Sequence, residues 1–166
     1  MYRGSIYNFL GALIALGFAS VVHPQATSNF LSVRAVAEVE LHSAEQGRET
    51  SKLVPADKVV PGDLIIYTLE VHNTGTTTLA APTVIYPIPA HMWYLADSAV
   101  GPAAEVTYSI DGGESFDAPE NLRLPGSEGQ WRVAAAADYT HIRWQLKNNL
   151  KANSVAFVRF RVIVRQ

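Results

Sequence analysis

The residues with the most chemical capacity sit in one short loop, in the stretch YSIDGGESFDA. Asp111, Glu114 and Asp117 place three carboxylates between positions 111 and 117. Ca²⁺ takes roughly six to eight such oxygen donors, so this segment is a candidate Ca²⁺ or recognition loop. The spacing is not that of an EF-hand, and the later Glu of that motif is missing. A second candidate is aromatic. Trp93 and Tyr94, in HMWYLADS, fall on opposite faces of an extended chain. One then packs inward, and the other offers a stacking surface to a sugar or a protein partner. The five histidines, His23, His42, His72, His91 and His141, have neither H-x-H nor H-E-x-x-H spacing, so no zinc site is read from them. His42 and His72 become neighbours only if their strands pair at those positions. Ser, His and Asp occur, but no G-x-S-x-G elbow presents a nucleophile. No catalytic residue and no cofactor are assigned.

The same loop carries a named pattern. Ser109, Asp111, Gly113 and Phe116 stand at S-x-D-x-G-x-x-F spacing, the outline of the Asp-box hairpin found in sialidase propellers. In that hairpin the Ser and Asp side chains bond their own turn, the glycine takes positive φ and the aromatic packs below. A propeller needs several blades and a longer chain, whereas one copy occurs here, so the pattern is read as a turn. Two further stretches read as turn chemistry. In VVPGD, Pro61 presets φ, Gly62 supplies φ > 0 for a type II turn, and Asp63 accepts from nearby backbone N–H groups. Asn73 and Gly75, in HNTG, close the following strand.

These residues need a scaffold, and the chain spells one out as strands. VRAVAEVEL (33–41) alternates, with Val33, Ala35, Ala37, Val39 and Leu41 on one face and Arg34, Glu38 and Glu40 on the other. LIIYTLEVHN (64–73) sends Ile65, Tyr67, Leu69 and Val71 inward and Thr68, Glu70 and His72 outward. YTHIRWQLK (139–147) does the same with Ile142, Trp144 and Leu146. In SVAFVRFRVIVRQ, Ala156, Val158, Phe160, Val162 and Val164 face the core, while Arg159, Arg161 and Arg165 face out. Those arginines, with Arg143, form a cationic stripe or pair across strands with Glu38, Glu40 or Glu70. Pro82, Pro87 and Pro89 cannot donate to a central ladder, so their segment is an edge strand or crossover. QGRETSKLVPADKVVPGD, with turn residues Gly47, Pro55, Pro61 and Gly62, reads as a connection, and AEVTYSIDGGESF as a hairpin. The alanines of WRVAAAAD favour a helical turn by propensity alone. Short strands separated by turn signals predict an all-β domain: one Ig-like antiparallel β-sandwich.

The chain has 166 residues, 48% hydrophobic and 17% charged, with a formal net charge of −2. That suits one domain with a real core. No basic stripe of the kind that grips phosphates is written in the sequence, so nucleic acid is not an expected partner. FLGALIALGFASVV (9–22) carries no charge. It is short of the about 20 residues that cross a bilayer but suits a signal-peptide core. The expectation is a signal helix within residues 1–26, cut after Ala19 or Ala26, followed by a β-sandwich over 27–166. The alternative is an uncleaved anchor, the one circumstance in which a membrane is a partner. There is no cysteine, so no disulfide and no thiolate site is available.

VVPGDLIIYTLEVHNTG (59–75), PIPAHMWYLADS, VTYSIDGGESF and YTHIRWQLKNNLKANS together resemble the bacterial and archaeal conserved-repeat domain, domain of unknown function eleven. The resemblance runs from about Arg34 to Arg165. It implies an Ig-like sandwich in an exported protein of the periplasm, cell surface or extracellular space, and it carries no catalytic residues. The function expected is a non-enzymatic structural or interaction module of the cell envelope, with an envelope or surface protein, or a second copy, as partner. Two alternatives stand beside it. One is a surface filament subunit that donates ATSNFLSVRAVAEVEL to a neighbour by strand addition. The other is a carbohydrate-binding module using Trp93 or Tyr94.

Overall fold

The computed structural model describes residues 30–45 and 48–165. The expected signal segment, both cleavage positions, His23 and Gly47 lie outside the described residues, as do the side chains of Leu41 and His42. No helix among the described residues is long and apolar enough to cross a membrane.

The chain is all-β, in antiparallel sheets. Among the described residues ten strands run in order: β1 (Leu31–Glu45), β2 (Arg48–Pro55), β3 (Leu64–Asn73), β4 (Thr83–Pro87), β5 (Met92–Tyr94), β6 (Ala104–Ser109), β7 (Arg123–Pro125), β8 (Trp131–Val133), β9 (His141–Leu146) and β10 (Val155–Val164). One sheet has the order β2-β1-β3-β10-β5 and a second β4-β9-β6; β7 and β8 form a small ribbon. Leaving β2 aside, the two sheets have four and three strands, as in a constant-type immunoglobulin sandwich. Here the last strand, β10, takes the central place beside β3.

The alternation read from the sequence is what joins the sheets. Ile65, Leu69 and Val71 of β3, Ile142, Trp144 and Leu146 of β9, and Val158, Phe160 and Val162 of β10 are all buried. The Phe160 ring meets Trp144 at 6.0 Å and Tyr86 at 5.9 Å across the gap, and stacks on Tyr67 of its own sheet at 5.1 Å. Tyr67 and Val39 are partly buried against this core. Burying a Phe or Trp here is worth about 3–5 kcal/mol, judged by what truncation to alanine costs.

Several expectations change. The inward face of β1 reaches the core at Leu31, Ala37 and Val39, but Val33 is 40% exposed. The opposing sheet has fewer strands and its ring contacts fall on β3 and β10, leaving part of β1 uncovered. The connection after Gly47 is partly a strand: β2 pairs with β1 from Glu38↔Pro55 to Glu45↔Arg48. Because β1 meets β3 only up to Val39↔Ile65, the β1–β2 ribbon extends past the sandwich. His42 pairs with Ser51 and His72 with Ser32, so the two histidines are not neighbours. The donor segment of the filament reading is a strand of its own sheet from Leu31 onward, paired with β3 up to Val39 and with β2 from Glu38. In WRVAAAAD, Trp131–Val133 is strand and only Ala136–Asp138 turns, as a short 3₁₀ helix. Pairing with β7 outweighs the alanine propensity. The prolines sit as expected: β4 and β5 are both edge strands.

Candidate interaction surface

The acidic loop turns inward on itself. Asp111 accepts from the Ser109 hydroxyl at 2.6 Å, from Glu114 N–H at 3.1 Å, from Ser115 N–H at 3.0 Å and from the Ser115 hydroxyl. The Ser109 oxygen in turn accepts from Gly113 N–H at 2.9 Å, and Gly113 takes φ of 93°. These bonds, that from Ser109 foremost, hold the Asp111 carboxyl well below the usual carboxylate range. Asp117 accepts from the Asn121 amide at 2.8 Å and from Ala118 N–H at 2.7 Å. Its backbone closes the hairpin through both bonds of the Tyr108↔Asp117 bridge. Phe116 lies beneath the Arg143 guanidinium at 4.9 Å. Among the described residues no three acidic or histidine groups converge to hold a metal ion. Asp111, Glu114 and Asp117 are thus brought near one another in sequence but not into one donor set, because Asp111 and Asp117 serve their own backbone.

The other turn residues act as their chemistry predicts, with one change of reason. Gly62 has φ of 97°, Asp63 N–H reaches Val60 O at 3.0 Å after Pro61, and the Asp63 carboxylate accepts Val60 N–H at 2.8 Å. Asn73 is fully buried. Its amide donates to Thr77 O and Leu150 O at 2.8 and 2.9 Å and accepts Gly75 N–H at 3.0 Å. Gly75 is required for space rather than for φ, since a Cβ there would lie 2.8 Å from the Phe30 ring.

The aromatic pair divides as the alternation requires. Tyr94 is buried, which removes it as a partner-binding candidate. Its hydroxyl meets that of Tyr108 at 2.9 Å and accepts Ala99 N–H at 3.0 Å. The Tyr108 ring stacks on Tyr139 at 4.5 Å. Burial, followed by the bond to Tyr94, pushes the Tyr108 hydroxyl far up. This cluster ties the short β5 to the other sheet and thereby aims Trp93 outward, where it is 46% exposed under the Arg165 guanidinium at 5.7 Å.

Trp93 shares its sheet face with the outward row of β10. Register places Ile163 beside Trp93, Arg161 beside Ile66 and Arg159 beside Thr68. Ile66 is buried although it lies on this outer face, flanked by Glu38 and Arg161, whose aliphatic stems suit that role. The expected stripe loses Arg143, which belongs to β9 and bonds Thr107 at 2.9 Å. Glu70 pairs with Arg34 at 3.1 Å rather than with a β10 arginine. Among the described residues, Arg159, Arg161 and Arg165 have no carboxylate partner. Sequence reasoning missed the apolar members of this face: Phe157, Val155 and Val100, at 52%, 43% and 54% exposure. The parity that sends Arg159 outward sends Phe157 and Val155 outward too, and a Phe in a polar row was the available signal. Two hollows of about 370 and 430 Å³ adjoin Phe157 and share Pro102.

No family model matches the chain, and no curated protein or solved structure matches it.

Proposed function

We propose that this chain is a non-enzymatic interaction module, exported to the cell envelope or surface, with the outer face of the five-stranded sheet as its working surface. The observation that carries the reading is the exposure of Phe157, Val155, Val100 and Trp93 beside arginines without carboxylate partners on one sheet face. Aromatic and arginine side chains are the ones enriched where proteins bind. The polar turn residues, by contrast, are engaged with their own backbone. Export is supported by the apolar run from Phe9 to Val22 behind Arg3. The resemblance to the conserved-repeat surface domains points to the same compartment, and with it to an Ig-like relative of bacterial origin.

Fractionation of the expressed full chain with N-terminal sequencing tests the reading. The expected result is an exported form beginning after Ala19 or Ala26. A chain found in the cytoplasm with its first residues intact overturns it.

One observation favours a second reading. Trp93 is exposed on an edge strand of the sheet, and an accessible aromatic ring is what sugar stacking requires. Glycan binding abolished by Trp93→Ala supports that reading, and failure to bind any neutral or acidic glycan removes it. The filament reading has less support, since the segment nominated as donor is already a strand of its own sheet, paired with β3 from Leu31 to Val39 and with β2 from Glu38 onward.

A further inference from the structure

The five-stranded sheet is unfinished along one part of β10. Successive residues of a strand direct their backbone groups to opposite sides. Val164 bonds Asp63 O and Gly62 N–H, toward β3, at 3.0 and 2.9 Å. Arg159 bonds Val100 in both directions at 2.8 Å, on the side away from β3. By that alternation Val155 and Phe157 direct their N–H and C=O groups to the Val100 side. The chain that would meet them there turns away. β5 pairs with Val162–Val164, Leu95 and Ser98 bond Arg161, and Val100, opposite Arg159, is the last point of contact. At Gly101 the backbone enters the core side so closely that a Cβ would lie 2.9 Å from Val158 Cγ1. Among the described residues, Val155 and Phe157 have no backbone partner on this side.

The two hollows lie at this edge. One, of about 370 Å³, opens between the sheets and is lined by Pro102, Leu146, Leu150 and Val155. The other, of about 430 Å³, lies on the outer face between Phe157, Val100, Thr68 and Arg159. The first is mainly apolar, with Asn148 and Asn149 also in its wall. The second ends at a guanidinium whose Nε bonds Thr68 at 3.1 Å and which has no carboxylate partner among the described residues.

We propose that this edge receives an extended segment of a partner protein, added as a strand antiparallel to β10 at Val155–Phe157, with an apolar side chain in the cleft and an acidic one against Arg159. Main-chain bonds to an open edge supply affinity in this mode, and the pockets for alternate side chains supply selectivity. The inference rests on the interaction-module reading and names the partner chemistry. Fractionation can fail without touching it, and it can fail without touching fractionation.

The test uses the purified chain and a synthetic hexapeptide of alternating valine and glutamate, with backbone amide exchange read residue by residue. The expected result is that saturating peptide slows exchange at Val155 and Phe157 by about tenfold or more while β3 and β9 amides are unchanged. The same peptide with alternate amides N-methylated gives no protection. Arg159→Glu, at an exposed position, abolishes the effect of the glutamate peptide and confers it on the lysine counterpart. Protection absent at both amides, equal protection by the methylated peptide, or indifference to the charge exchange overturns the proposal.

Discussion

Asn73 shows how a residue picked out for turn chemistry becomes a structural pin. It is fully buried, and three side-chain bonds tie the end of β3 to Gly75, Thr77 and the β9–β10 connection. Removing it leaves buried backbone groups unpaired, each at about 1–3 kcal/mol. Asn73→Ala is therefore expected to lower unfolding free energy by about 2–4 kcal/mol, read from a urea transition with an unchanged slope. A loss under about 0.5 kcal/mol, the size of an ordinary surface change, contradicts the assignment. Asp138 carries a pH signature. Its carboxylate accepts both Arg132 guanidinium N–H groups at 2.6 and 2.8 Å and Ala135 N–H at 2.8 Å. The Arg132 bonds, ahead of the backbone bond, lower its pKa from 3.8 to about 2. A depressed folded pKa contributes stability that is present above the unfolded value and lost as pH falls through the folded one. The stability gap between wild type and Asp138→Asn should hold constant above about pH 5 and shrink from about pH 4 to 2; a gap that does not change over that range refutes the ion pair. The turn residues were legible because their roles are local. That Asp111 and Asp117 serve their own turns was not, since the sequence lists the carboxylates but not the N–H and O–H groups they accept from.

At the scale of elements, period-2 alternation placed β3, β9 and β10 and their core faces, because both sheets bury one face only and register follows. It failed for β2, whose RETSKLVP has no apolar face to signal a strand. β2 forms because β1 offers it a ladder, while Ser51, Lys52 and Leu53 of β2 are exposed. A two-stranded ribbon is at best marginally stable in water. Amides of the β1–β2 ribbon beyond the Val39↔Ile65 pair are thus expected to exchange far faster than those of β3 and β10. Replacing residues 42–51 by Asn-Gly, a two-residue hairpin turn between the paired Leu41 and Lys52, should leave the thermal midpoint within a few degrees, by differential scanning calorimetry. Protection in the ribbon equal to that in β3, or global unfolding on replacement, contradicts this. Phe157 went unremarked for a related reason. Its parity was readable, but whether a neighbouring strand covers the edge beside it depends on where β5 stops and Gly101 turns, which only the fold decides.

For the whole molecule, the two-sheet sandwich leaves its features unevenly distributed. Polar loops are closed on themselves, the core is continuous between the sheets, and the exposed apolar side chains of Val100, Val155 and Phe157 gather at one edge beside Arg159. The outer face of the smaller sheet provides an internal control, since Ile85 is also exposed, at 49%, yet sits on an edge strand away from that hollow. The direct measurement is site-specific photocrosslinking in intact cells, with a photoreactive side chain at position 157 or at position 85, followed by mapping of the crosslinked peptide. The account predicts a discrete adduct from position 157, in the exported fraction, mapping to one extended partner segment with alternating apolar and acidic residues, and none from position 85. No adduct from position 157, or equal and heterogeneous adducts from both positions, contradicts it.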